Sequence, residues 1–136
     1  MILDIIKAVI PVIYVKLNHP ELIYIASLCA FLGHVFPVWL KFKGGKGVAT
    51  YIGILFSINI FLGFIFCGSW LIIFLSSRYS SLSSLIGSLT IPVYIFFYDQ
   101  VSNIIFFGIM FILIFYTHRE NIKRLKNKEE TKTKIY

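Results

Sequence analysis

The sequence predicts an all-α integral membrane protein, a multi-pass helical bundle of about six short transmembrane segments. Two observations fix the class and a third fixes the number of segments. Of the 136 residues, 58% are hydrophobic and only 14% are charged, and the mean hydropathy is +0.85. Ordinary soluble domains are roughly 45–50% apolar, so this chain has too little polar surface to clothe a soluble globule. The charges are also segregated: between Gly47 and Thr117 the only charged side chains are Arg78 and Asp99. The net charge of +7 is gathered beside apolar runs, the pattern of cytoplasmic membrane loops, and is not a diffuse field for nucleic acid.

The first segment covers about residues 1–16 and carries Asp4 and Lys7 near its start. No small-residue cleavage site follows, so it does not read as a secretory signal. Lys16 to Glu21 is a polar turn with a helix-breaking proline, Pro20. The second segment, about 22–40, is long enough to span. A loop from Lys41 to Lys46 follows it.

Residues 47–77 form an uncharged run of 31 residues. As one helix it would be roughly 46 Å long at ~1.5 Å per residue, against a bilayer core of about 30 Å. Hydropathy leaves one span or two open. With two helices, about 47–62 and 64–78, Lys41, Lys43, Lys46, Arg78 and the basic tail all share one face, which is the arrangement that positive-inside asymmetry favours. The remaining segments are about 81–98, with Pro92 inside it, and 101–117, with a turn at Asp99–Gln100 between them. These helices make one transmembrane domain, 1–117. The tail, 118–136, is basic, and its end from Asn127 has the composition of a disordered segment.

Three polar clusters lie at the predicted cytoplasmic face. In Lys43-Gly44-Gly45-Lys46-Gly47, glycines permit backbone N–H groups to converge on an anion, and Lys46 adds a point charge. A helix beginning near Gly47 would add free donors and partial positive charge. Val48 stands where a P-loop needs Ser or Thr, so this is not a P-loop. On spacing alone, a phosphate cradle and a flexible positive connector fit the loop equally well. The second cluster is Ser76-Ser77-Arg78-Tyr79-Ser80-Ser81-Leu82-Ser83-Ser84; by itself it favours capping and interhelical hydrogen bonds. In the third, His118-Arg119-Glu120-Asn121, His118 and Asn121 are three residues apart, a spacing that puts them on one helix face. Polar groups that gather at one bilayer face usually line a site. The usual His/Asp pair of soluble-type glycerolipid acyltransferases is absent, as are a Gly-x-Ser-x-Gly elbow, Cys–His metal spacing and paired carboxylates. Cys29 and Cys67 read as membrane-buried thiols.

On these motifs the chain resembles the bacterial acyl-phosphate:glycerol-3-phosphate acyltransferase family. Gly33-His34 and Gly44-Gly45-Lys46-Gly47-Val48-Ala49-Thr50 match its central signature. Arg78-Tyr79-x-Ser81-Leu82-x-Ser84 matches a second block, and His118-Arg119-Glu120-Asn121-Ile122-x-Arg124-Leu125 a third. Leu3-Asp4-x-x-Lys7 with Pro11-Val12 looks like the block that opens the family's second helix. The resemblance implies the family bundle of seven segments less the first. The family's earlier block, a first helix and a Gly-Ser-Gly-Asn-like loop with a downstream arginine, has no counterpart before Leu3. Ala8 and Ser80 are smaller departures.

The resemblance implies acyl transfer from acyl phosphate to glycerol 3-phosphate, giving lysophosphatidic acid for phospholipid synthesis at the bacterial plasma (inner) membrane. Lys46, His118 and Asn121 would be the catalytic residues. Lys43, Gly44, Gly45, Lys46, Gly47 and Ser81 would bind substrate phosphate. The chemistry needs no cofactor and no metal. The proton acceptor is either His118 or a phosphate oxygen of the substrate. Membrane lipids, and the enzyme that makes acyl phosphate, are the implied partners. The rival reading is a truncated, non-catalytic relative that accompanies a full-length enzyme.

Overall fold

A computed structural model describes residues 2–42, 44–98 and 104–133. Among them every regular element is helical: α1 (Ile2–Asn18), α2 (Ile23–Val35), α3 (Val48–Ile58), α4 (Ile60–Ser77), α5 (Ser80–Tyr98), α6 (Ile104–Thr117) and α7 (Arg119–Lys126), with short 3-10 turns at Pro20–Leu22 and Val38–Leu40. Two of these helices, α4 and α5, are long and apolar enough to cross a membrane; α6 and α7 together, bent by 62°, make a third candidate. Their outer faces are apolar and exposed, as at Leu71, Ile72 and Leu75 on α4 and Phe96 and Phe97 on α5. Such faces are stable against lipid. The chain forms two compact units, Met1–Phe64 and Ile65–Tyr136.

The first unit is α1 packed on α2 and α3. Ala8 and Val12 of α1 are fully buried. Gly53 allows the close approach of α3: a Cβ there would lie 2.8 Å from the Ile5 carbonyl oxygen and 3.2 Å from Val9 Cγ2, the small-residue contact that membrane helices use in place of a hydrophobic drive. Lys16 Nζ donates to the Ser57 and Ile58 carbonyls at 2.8 and 2.9 Å, satisfying acceptors that the end of α3 leaves open.

Two expectations for this unit are corrected. Residues 22–40 do not form one helix. Pro37 disfavours helical geometry at Phe36, whose φ of −121° and ψ of 56° end α2 at Val35. The long apolar run is two helices, but the break falls at Asn59 rather than at Gly63. Asn59 is extended, at φ −151° and ψ 124°, and its Oδ1 accepts from the Phe61 N–H at 2.9 Å. A side chain that caps the next helix decides the site of the turn; Gly63 lies inside α4, against the Phe56 ring.

In the second unit the rest of α4 joins α5 through polar contacts. Ser69 Oγ and Thr90 Oγ1 are 3.1 Å apart, and Trp70 Nε1 donates to Ser84 Oγ at 3.2 Å. Phe66 fills the space above Gly87. The tail is the third correction. Its first part is α7, and residues 127–133 fold back in an ordered turn. Glu129 N–H bonds the Arg124 carbonyl at 2.8 Å, and Lys128 N–H bonds the Leu125 carbonyl at 3.2 Å. Lys128 has φ 60°. This is a Schellman ending with lysine at the left-handed position that glycine usually takes. Thr133 N–H then bonds the Arg78 carbonyl at 2.9 Å, and Lys132 Nζ lies 5.7 Å from the centre of the Tyr79 ring. Composition foresaw disorder because it weighs average polarity and not single pairings. Residues 99–103, which hold the predicted turn at Asp99–Gln100 and the predicted start of the last segment, lie outside the described residues.

Candidate active site

Each unit carries one polar cluster. In the first, the glycine loop lies on the carboxyl end of α2. Gly44 N–H donates to the Val35 carbonyl at 3.1 Å, and a Cβ on Gly44 would overlap the His34 and Val35 carbonyl oxygens. Gly45 lies against the Nε2 edge of the His34 ring. Gly47 starts α3 with φ 83° and faces the Phe31 ring. These glycines therefore serve close packing, and the N–H of Gly44 is already engaged. Gly44, Gly45 and Lys46 are exposed, immediately before the α3 N-terminus. Lys43 lies outside the described residues.

His34 of α2 stands against this loop, and two polar groups of α1 are linked to it. Asp4 Oδ1 accepts from Lys7 Nζ at 2.9 Å and is 3.6 Å from His34 Nδ1. The Leu3-Asp4-x-x-Lys7 and Gly33-His34 motifs thus join in space, and His34 in turn lies on Gly45. Asp4 and Lys7 carried their own signal: charges inside an apolar segment are expensive and mark pairing or function.

The second cluster lies where α5, α7 and the tail meet. Ser77, Ser83 and Ser84 each turn back to a carbonyl of their own helix turn, at 2.7–2.9 Å, which is the structural use of serine. Ser81 does not. Its hydroxyl donates to Glu130 Oε1 at 2.6 Å, Asn121 Nδ2 donates to the same oxygen at 2.7 Å, and Arg124 Nε donates to Oε2 at 2.7 Å. Ser81 and Asn121 are buried, and the Glu130 side chain is only 10% exposed. Burial by itself would raise the Glu130 pKa; hydrogen bonds from Ser81, Asn121 and Arg124, and the Arg124 charge, outweigh it and lower the pKa to about 2. A serine has one proton, and Ser81 gives it to a carboxylate, so its hydroxyl oxygen is left as an acceptor.

His118 sits at the bend between α6 and α7 and is 2% exposed. Its Nδ1 is 2.8 Å from the Ile114 carbonyl. A carbonyl only accepts, so Nδ1 carries a proton, and in the neutral form of the ring the lone pair lies on Nε2. The bend also separates His118 from Asn121, which belongs to α7, so the two do not share one straight helix. Sequence reasoning missed Glu130. Its signal was faint: one of two adjacent acids in a basic tail.

The chain is similar to proteins of known class over nearly all its length. The glycerol-3-phosphate acyltransferase family pattern matches residues 1–128. A glycerol-3-phosphate acyltransferase of Pelagibacter ubique (strain HTCC1062) is 72% identical over 136 residues, all of this chain and 71% of that protein. Its counterpart in Bradyrhizobium diazoefficiens is 43% identical over 133 residues, 97% of this chain and 67% of that protein. Among solved structures, the integral membrane glycerol 3-phosphate acyltransferase PlsY (YgiH) in its glycerol 3-phosphate form superposes with a TM-score of 0.89 at 33% identity. The match covers 97% of this chain and 68% of that one. The lysophosphatidic acid form of the same enzyme gives 0.88, with 69% of that chain covered. The helices that carry the glycine loop and the Ser81–Asn121 cluster thus follow the fold of that membrane enzyme, and the chain belongs to the glycerol-3-phosphate acyltransferase family.

Proposed function

We propose that this chain transfers an acyl group from acyl phosphate to a hydroxyl of glycerol 3-phosphate. The observation that carries the reading is the match, over 97% of this chain, to a membrane enzyme solved with glycerol 3-phosphate. The product is lysophosphatidic acid, and the by-product is inorganic phosphate. The glycerol oxygen bonds the acyl carbonyl carbon, the carbon–oxygen bond to phosphate breaks, and the bonding pair leaves with phosphate. The hydroxyl proton passes to a phosphate oxygen or to His118 Nε2. The donor is a mixed anhydride, already activated, so the protein contributes chiefly position and charge stabilisation.

Lys46, with the Gly45 and Gly47 backbone and the positive end of α3, holds a substrate phosphate, and Lys43 adds charge. Gly44 shapes the loop. His118 and Asn121 hydrogen-bond the substrates, and Ser81 is held beside Asn121 by Glu130. Short membrane segments, about six, place this chemistry at the cytoplasmic face of the bacterial inner membrane, where acyl chains enter from the lipid. The enzyme that makes acyl phosphate is the natural partner, because its product is a reactive anhydride.

The test is acyl transfer by the purified chain in lipid, with palmitoyl phosphate and labelled glycerol 3-phosphate. Lysophosphatidic acid formed from the acyl phosphate, and reduced at least about 100-fold in Lys46→Ala, is the expected result. Product formed only from palmitoyl-CoA would overturn the donor. No product from either donor would overturn the activity and favour a non-catalytic role.

A further inference from the structure

Glu130 sits at the centre of the second cluster, and no substrate role explains it. It lies in the tail, beyond the third motif, and yet it makes the cluster's shortest contact, 2.6 Å from the Ser81 hydroxyl. Its carboxylate accepts two hydrogen bonds on Oε1, from Ser81 and Asn121, and one on Oε2, from Arg124. The backbone brings it there by the left-handed turn at Lys128 and the Thr133–Arg78 bond.

A consequence follows for Asn121. A carboxylate accepts and cannot donate, so the atom facing Glu130 must be the amide nitrogen. The amide orientation is therefore fixed by chemistry, and Oδ1 is the end turned away. Asn121 is 4% exposed, and its Oδ1 has no hydrogen-bond partner among the described residues. A buried acceptor left without a partner costs roughly 1–3 kcal/mol. Such an atom suits a ligand that donates. Phosphate at neutral pH chiefly accepts; the hydroxyl groups of a glycerol unit donate.

We propose that Glu130 is a positioning residue: by holding the Asn121 amide nitrogen, it presents Asn121 Oδ1 as the acceptor for a glycerol hydroxyl and so sets acceptor-substrate specificity. This rests on the glycerol 3-phosphate reading above. Ser81 is the second strut, since its proton fills the same carboxylate oxygen. Arg124 balances the charge and keeps the carboxylate ionised. Without the carboxylate the amide is free to flip, and donor and acceptor ends become interchangeable.

The experiment is equilibrium binding to the full chain in lipid, using glycerol 3-phosphate and n-propyl phosphate. The second ligand keeps the phosphate and three carbons but lacks both hydroxyls. Wild type is expected to prefer glycerol 3-phosphate. Glu130→Met, which keeps bulk without an acceptor, and Glu130→Ala should each weaken glycerol 3-phosphate binding about tenfold, the worth of one hydrogen bond, and leave n-propyl phosphate unchanged. Unchanged n-propyl phosphate binding also reports an intact fold. Asn121→Ala should give the same loss, and the double variant no more than either alone. Equal weakening of both ligands, or of neither, would overturn the inference and leave the functional reading intact. A wild-type chain that binds no glycerol 3-phosphate would overturn the functional reading and the inference with it.

Discussion

The His34 ring lies directly on Gly45, with its Nε2 edge where a side chain would begin. The neighbouring Gly44 is pressed on the carbonyl end of α2, its N–H bonded to Val35. The loop is thus seated, and its glycines are required for shape. Gly44→Ala would push a methyl into the backbone carbonyls of His34 and Val35, and carbonyls at a helix end cannot yield as a flexible side chain can. Overpacking of this kind costs about 1–3 kcal/mol, and we expect acyl transfer to fall at least about tenfold. Gly33→Ala is the control: nothing lies within 4 Å of the Cβ it would add, so activity should stay near wild type. Assaying the two variants together checks the seating, and equal activities would refute it.

The tautomer of His118 leads to the second prediction. Its Nδ1 proton is directed at the Ile114 carbonyl, 2.8 Å away, which leaves Nε2 as the nitrogen able to take a proton. If it does so in the reaction, His118→Ala lowers kcat about 100-fold or more and removes the ascending acidic limb of the pH–rate profile. If a substrate phosphate oxygen takes the proton, the rate falls but the shape of the profile persists. The profile of kcat against pH for both proteins separates these outcomes.

Lys128 adopts a conformation that suits glycine, at φ 60°. An L-residue held there carries about 1 kcal/mol of strain that glycine does not. Lys128→Gly should therefore tighten the turn that delivers Glu130, slowing hydrogen exchange at the Thr133 N–H, which is bonded to the Arg78 carbonyl. Lys128→Val should speed it, because a β-branched residue fits that region poorly.

The membrane class and the polar clusters were legible because they depend on composition and on short motifs. Charge asymmetry also selected two helices over residues 47–77 where hydropathy was indifferent. The position of the break was not legible. The segment bounds put the break at Gly63, whereas one hydrogen bond accepted by the Asn59 side chain decided it. Likewise Pro37 was visible in the sequence, but its consequence, a second helix ending at Val35, depends on local backbone geometry. The glycines were read for the donors they expose, and the structure adds the contacts they permit. Glu130 was illegible for a different reason. Its partners lie 49 and 9 residues away, and no periodicity links a tail acid to a serine at the start of α5.

The pH response of that carboxylate is the last prediction. Its pKa falls from an ordinary 4.5 to about 2 in the folded chain, because the hydrogen bonds from Ser81, Asn121 and Arg124 outweigh the cost of burial. A lowered folded-state pKa means that the unfolded chain binds the proton more readily, so the stabilisation is complete above about pH 4.5. It is lost progressively as the pH drops toward about 2. The tail should hence stay docked from neutral pH down to the mid-fours and loosen below, with no change on the alkaline side from this group. Carbon-13 labelling of the glutamate carboxyls reads this directly, with Glu130→Met assigning the signal. A Glu130 midpoint near 2 is expected. A midpoint near 4.5 would mean that the carboxylate is not held by its three donors, and the orientation of Asn121 would then lose its cause.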